Sequence, residues 1–77
     1  MRKKILNCIA DGDLIIEVSG DKTENVYLNI GDDIKIELLD CVIVEGILNN
    51  FTGFDVEIKT DNGDMKYSIE KLNYIFA

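Results

Sequence analysis

Gly31-Asp-Asp-Ile-Lys-Ile-Glu-Leu-Leu-Asp-Cys-Val-Ile-Val-Glu-Gly-Ile-Leu48 is the stretch whose reading decides the fold, together with residues 49–75. After a turn at Asn49–Gly53 comes Phe54-Asp-Val-Glu-Ile-Lys-Thr60, and after a second turn at Asp61–Asp64 comes Met65-Lys-Tyr-Ser-Ile-Glu70. Ile34, Ile36 and Leu38 recur at every second position with Lys35 and Glu37 between them, the period of a strand with one face in a core. Val42, Val44 and Leu48 extend that inward face. Phe54, Val56 and Ile58 resume it, with Asp55, Glu57 and Lys59 pointing outward. Gly46 falls on the inward face in mid-strand, where a missing side chain permits a bulge or sharp bend. Asn62-Gly63 predicts a two-residue hairpin turn that pairs Ile58 with Tyr67 and Val56 with Ile69. The same register sets Lys59 against Lys66 and Asp55 against Glu70, both like-charged. Ser68–Leu72 predicts one tight helical turn before a last strand, Asn73–Phe76. The pattern is a meander of short antiparallel strands, the makings of a small β-barrel over residues 26–76.

Upstream, Lys3–Ala10 and Asp13–Val18 are apolar runs joined by Asp11-Gly12, which predicts an extra N-terminal hairpin over residues 3–18. A two-residue turn there sets Ile9 across from Leu14, Asn7 from Ile16 and Ile5 from Val18. Leu6, Cys8 and Ile15 then lie on the other face. Apolar groups on both faces predict that the hairpin is covered on both sides, by its own domain or by a partner subunit. Ser19–Asn25 is the most loop-like stretch, and Val26–Ile30 reads as a short strand. No segment has the length or period of an amphipathic helix. The expected fold is all-β and a single domain, residues 1–77.

Composition narrows the function. With 77 residues and 47% apolar content, the chain suits one ordered domain. It has 8 basic and 15 acidic residues, and three of the basic ones are Arg2, Lys3 and Lys4. So acidic a surface repels phosphate backbones, whose attraction to Lys and Arg supplies most nucleic-acid affinity. It suits solvation or a basic partner. No run approaches the ~18 apolar residues of a membrane span. Asn7 and Asp11 cut the apolar stretch behind the basic opening shorter than an export signal needs, so a cytoplasmic location is expected.

Catalytic groups are scarce. The chain contains no histidine, the commonest general base and a common metal ligand. Cys8 and Cys41 have no metal-ligand spacing, and no histidine can activate either thiol. Asp11/Asp13 and Asp61/Asp64 are explained by the geometry of hairpin turns. No catalytic residue, metal or cofactor is expected.

The stretch from Gly31 to Ile75 resembles two related groups of small barrels. Ile34-Lys-Ile-Glu-Leu-Leu-Asp40, Gly46-Ile-Leu48, Phe51 and Phe54-Asp-Val56 are similar to the first signature segment of Sm-like proteins. The same strands, closing on Ile69, Leu72 and Ile75, resemble the SH3-like barrels of short bacterial proteins. The resemblance implies an SH3-like or Sm-like fold, and for the Sm-like group a ring that binds RNA. This chain departs from that pattern at telling positions. Cys41 replaces the turn glycine, Thr52 the aspartate after Phe51, and Asp55 the asparagine that would contact a base. Ile75-Phe76-Ala77 stands in place of the closing Arg-Gly, and a hairpin in place of the N-terminal helix. The resemblance therefore supports the barrel and undercuts inherited RNA binding.

The expected function is a non-enzymatic interaction module whose partner is another protein or a second copy. The alternatives are an Sm-like RNA-binding ring and an acidic decoy of a nucleic-acid-binding protein. Tyr27, Phe51, Tyr74 and Phe76 lie at turns or strand ends and are the candidate surface, with Leu6 and Ile15 on the two-faced hairpin. Phe54 and Tyr67 are expected in the core.

Overall fold

The computed structural model describes residues 1–77. The chain forms β1 (Arg2–Asp11), β2 (Asp13–Val18), β3 (Glu24–Leu28), β4 (Asp33–Leu38), β5 (Ile43–Phe51), β6 (Asp55–Thr60), β7 (Gly63–Ser68) and β8 (Leu72–Phe76). A single 3-10 turn, Ile69–Lys71, links β7 to β8. All strands pair antiparallel in the order β3-β2-β1-β8-β4-β5-β6-β7, an all-β sheet that leaves β3 and β7 as its edges. No helix is long and apolar enough to cross a membrane.

β1 joins the two ends of the chain. Residues 2–4 pair with β8, whereas residues 5–11 pair with β2. Between Ile5 and Asn7 the register shifts, and Leu6 and Asn7 are both exposed at that bulge. The extra residue lets Ile5 and Cys8, three positions apart, both turn toward the core. Thirteen buried apolar residues form one cluster drawn from both halves, including Leu14, Ile16 and Val18 of β2 and Ile36, Leu48, Val56 and Ile58 of the meander. Each of these side chains contributes about 1.5–3 kcal/mol through its removal from water.

Both hairpin registers differ from the sequence expectation. Asp11 faces Asp13 directly, so Gly12 alone makes the tip, at φ 74°, and Asp11 does not share its left-handed backbone. Cys8 therefore faces Ile16, and Ile9 faces Ile15 rather than Leu14. The bulge restores the expected Ile5–Val18 pair. In the second hairpin Asp61 and Asn62 form the tip, and only Gly63 takes positive φ, at 104°. Thr60 fixes this turn: its hydroxyl donates to the Gly63 carbonyl at 2.9 Å and accepts the Asn62 N–H at 3.1 Å. Ile58 now pairs with Met65 and Val56 with Tyr67, two residues from the expected register and so on the same face. The expected like-charged pairs become Glu57–Lys66 and Lys59–Asp64, which are opposite in sign.

Three positions depart from the expected core. Phe54 is 81% exposed, because β6 begins only at Asp55. Phe54 belongs to the turn, where the Thr52 hydroxyl accepts both the Phe54 and the Asp55 N–H at 3.1 Å. Val42 is exposed in the β4–β5 turn beside Cys41, the one non-glycine residue with positive φ, at 69°. Glu37, expected in solvent, is buried at 8% exposure beneath the N-terminus of β1. Tyr67 is half-buried and packs against the core.

Cys41 occupies the backbone region that favours glycine, so Cys41→Gly relieves local strain at a modest gain in unfolded-state entropy. We expect a net stabilisation of about 0.5–1 kcal/mol, read as a raised urea midpoint with an unchanged slope. A lowered midpoint would show that the exposed thiol makes a contact worth more than the strain.

Candidate functional site

The six candidate surface residues separate into two groups. Tyr74 is committed to fastening β1. The Arg2 guanidinium carbon lies 4.1 Å from the Tyr74 ring centre, and the Lys4 ammonium 5.3 Å. Arg2 also donates through Nη1 to both carboxylate oxygens of Glu37, at 2.7 and 2.9 Å. That hydrogen bond and the carboxylate's charge raise the Arg2 guanidinium above its ordinary value. Lys4 donates to the Asn73 side chain, and Lys3 pairs with Glu24 at 2.9 Å. The basic N-terminus is thus consumed inside the molecule. Phe76 is half-buried beneath Lys35, whose ammonium sits 4.9 Å from the ring centre. Phe51 packs against the core. Tyr74, Phe76 and Phe51 are each half-buried against these neighbours.

Ile15 and Tyr27, by contrast, are brought together. They are register partners on β2 and β3, and Ile9 of β1 faces Ile15 from the other side. Alternation sends Leu14, Ile16 and Val18 into the core, so Ile9, Ile15 and Tyr27 stand in one row on the opposite, outer face. Ile9 is 50% exposed and Tyr27 60%. Leu6, at the β1 bulge, is also half exposed.

Polar rows flank this apolar one. On one side stand Asn7, Glu17 and Asn25, which are register partners in turn. On the other stand Asp11 and Asp13, with Asn29 donating to Asp13 at 2.8 Å and the Asp32 carboxylate accepting the Asn29 N–H at 2.7 Å. No cation pairs with Asp11, Asp13 or Glu17. An apolar stripe between unpaired carboxylates offers apolar area at the centre and charge at the rim.

The one-residue error at the Asp11-Gly12 tip put Ile9 and Asn7 on the core face and Cys8 on the outer one, the reverse of where each lies. A one-residue count there would have moved all three. The largest surface depression, about 510 Å³, is a separate feature between Asp33, Lys35, Glu45, Gly46, Asp61 and Phe76. It is open, and Lys35 spans it at 3.7 Å from Glu45.

The two cysteines are free, Cys8 buried and Cys41 exposed. Burial raises the Cys8 thiol from 9.0 to about 11, so it is protonated near neutrality and is no nucleophile. The folded state therefore holds this proton more tightly than the unfolded state does. The stabilisation is complete below pH 9 and is lost as pH rises toward 11. Urea titrations across that window should show a falling stability whose slope is shallower in Cys8→Ala. A thiol reagent at neutral pH should label Cys41 at once and Cys8 only at the rate of opening. Equal labelling rates would contradict the burial.

Comparison with known protein families, curated proteins and solved structures gives no match to this chain.

Proposed function

We propose that this chain is a non-enzymatic interaction module, an acidic small β-barrel of SH3-like or Sm-like type that recognises another protein. The observation that carries the reading is the outer-face Ile9–Ile15–Tyr27 row, with Ile9 and Tyr27 exposed and Ile15 half-buried between them, set between carboxylates that have no cation of their own. The strand order β8-β4-β5-β6-β7, with a 3-10 turn before β8, supports the SH3-like barrel as the architecture of the meander. The N-terminal hairpin and β3 then form an added three-stranded face, which gives the module its recognition surface. The absence of histidine and the protonated, buried Cys8 support a binding rather than a catalytic role.

A tagged pull-down from native lysate, with and without nuclease, tests this reading. A stoichiometric protein that survives nuclease and is lost in Ile15→Asp is the expected result. Recovery of RNA by a ring-sized oligomer, with protein lost on nuclease treatment, would transfer the assignment to the Sm-like reading.

A further inference from the structure

We propose that the free edge of β3 takes up a basic, extended peptide segment as a ninth strand. This rests on the interaction-module reading and adds the partner's chemistry. β3 ends the sheet on one side, and no backbone hydrogen bond outside its pairing with β2 involves residues 24–28. Alternate N–H and C=O groups of an antiparallel edge strand point away from its one neighbour, so β3 presents a row of unpartnered groups. The usual edge protections are missing from it. The strand has no proline or lysine and no register shift against β2, and its one charge, Glu24, is held by Lys3. The other edge, β7, carries Asp64 and Lys66 as exposed charges in mid-strand.

The register states what an added strand would meet. Opposite Tyr27 its side chain joins the Ile9–Ile15–Tyr27 row, so that position is aromatic or β-branched. Opposite Val26 and Leu28, both half-buried against the core, the side chains cover the incomplete lid of the core and are apolar. Opposite Asn25 the outer-face side chain reaches across a short residue toward Glu17. Opposite Asn29 it reaches toward Asp13 and Asp32. Both of these positions call for Lys or Arg. The complementary segment is therefore basic, three apolar residues, basic, and the pattern reads the same in either strand direction. Main-chain hydrogen bonds would supply affinity, and the alternating side chains specificity. No stretch of this chain has that pattern, so a second copy does not fit the edge by sequence.

The test is an amide-resolved NMR titration of the full chain with a short synthetic peptide centred on Lys-Val-Tyr-Val-Lys. The expected result is saturable shift changes confined to β3 and the facing residues of β2, with slowed exchange of β3 amides. A peptide centred on Glu-Val-Tyr-Val-Glu, or one with both lysines moved to the same end, should bind at least about tenfold more weakly. Tyr27→Lys, a change at an exposed site, should cost the first peptide at least about tenfold while leaving the spectrum of β4–β8 unchanged. Absence of binding, equal binding of all three peptides, or changes centred on β7 would overturn the assignment. So would concentration-dependent broadening at β3 without peptide, which would make a second copy the occupant. A protein partner recovered from lysate and retained by Tyr27→Lys would leave the interaction module standing while removing β3 as its binding edge.

Discussion

Gly46→Ala should destabilise the chain by about 4 kcal/mol or more, the largest effect of any single methyl in the molecule. A Cβ at this position would land on the carbonyl oxygen of Lys59, and within 3.0 Å of both the Lys59 carbonyl carbon and the Ile58 Cγ2. Two of these three atoms are backbone, so no rotamer change can make room. Relief would require β6 to move away from β5 where Ile47 pairs with Lys59 and Leu48 with Ile58. Leu48 and Ile58 are fully buried, and separating them opens the core. Domains of this size have total stabilities of only about 4–12 kcal/mol, so much of the population should unfold at room temperature. Circular dichroism with a urea titration gives the measurement. Gly53→Ala is the control, since its Cβ would meet nothing within 4 Å and its backbone is not left-handed. It should change stability by less than about 0.5–1 kcal/mol. If Gly46→Ala behaves like the control, the close approach of β6 to β5 is wrong.

Gly46 was legible as a special position, because it interrupts an inward-facing apolar series and so predicts a bulge or bend. Instead β5 pairs with β4 in unbroken register through it, and the register shift of β5 lies between Leu48 and Asn50. The glycine admits the Lys59 backbone. Alternation placed Ile34, Ile36, Leu38, Val44, Leu48, Val56 and Ile58 in the core correctly. What periodicity could not supply was register. An Asp-Gly or Asn-Gly pair signals a turn but does not say which residues form its tip, and so leaves the register open. At Gly12 the difference of one residue put Ile9 on the wrong face, and with it a third of the apolar row. At Gly63 the difference was two, so the faces survived and only the charge pairing changed. The fate of the aromatics depended on partners far away in sequence. Tyr74 looked free because nothing near it in the chain shows that Arg2 and Lys4 will stack on it. Local pattern reports which way a side chain points, but not what the rest of the chain places above it.

Ile16→Ala should unfold the whole chain in a single weakened transition rather than release the N-terminal hairpin alone. Ile16 is fully buried and faces Cys8 across β1 and Val26 across β3, so its truncation should cost about 3 kcal/mol. The question is how far that loss is felt. Were the hairpin a separate appendage, amides in β4–β7 would keep their protection in this variant while those in β1–β3 lost it. The connectivity argues otherwise. β1 is one strand shared between β2 and β8, and it is pinned to the meander by the Arg2–Glu37 pair and by Tyr74. Ile16 also belongs to the same buried cluster as Ile36, Leu48 and Ile58. Elements that share a strand and a core open together. Native-state hydrogen exchange should therefore show protection in β5 and β6 falling by the same factor as in β2, about a hundredfold for 3 kcal/mol. Ile15→Ala, one residue away on the outer face, should leave both nearly unchanged. Loss of protection confined to β1–β3 would mean that the N-terminal strands can melt while β4–β8 stay folded. Binding at β3 would then be coupled to local folding instead of resting on a preformed edge.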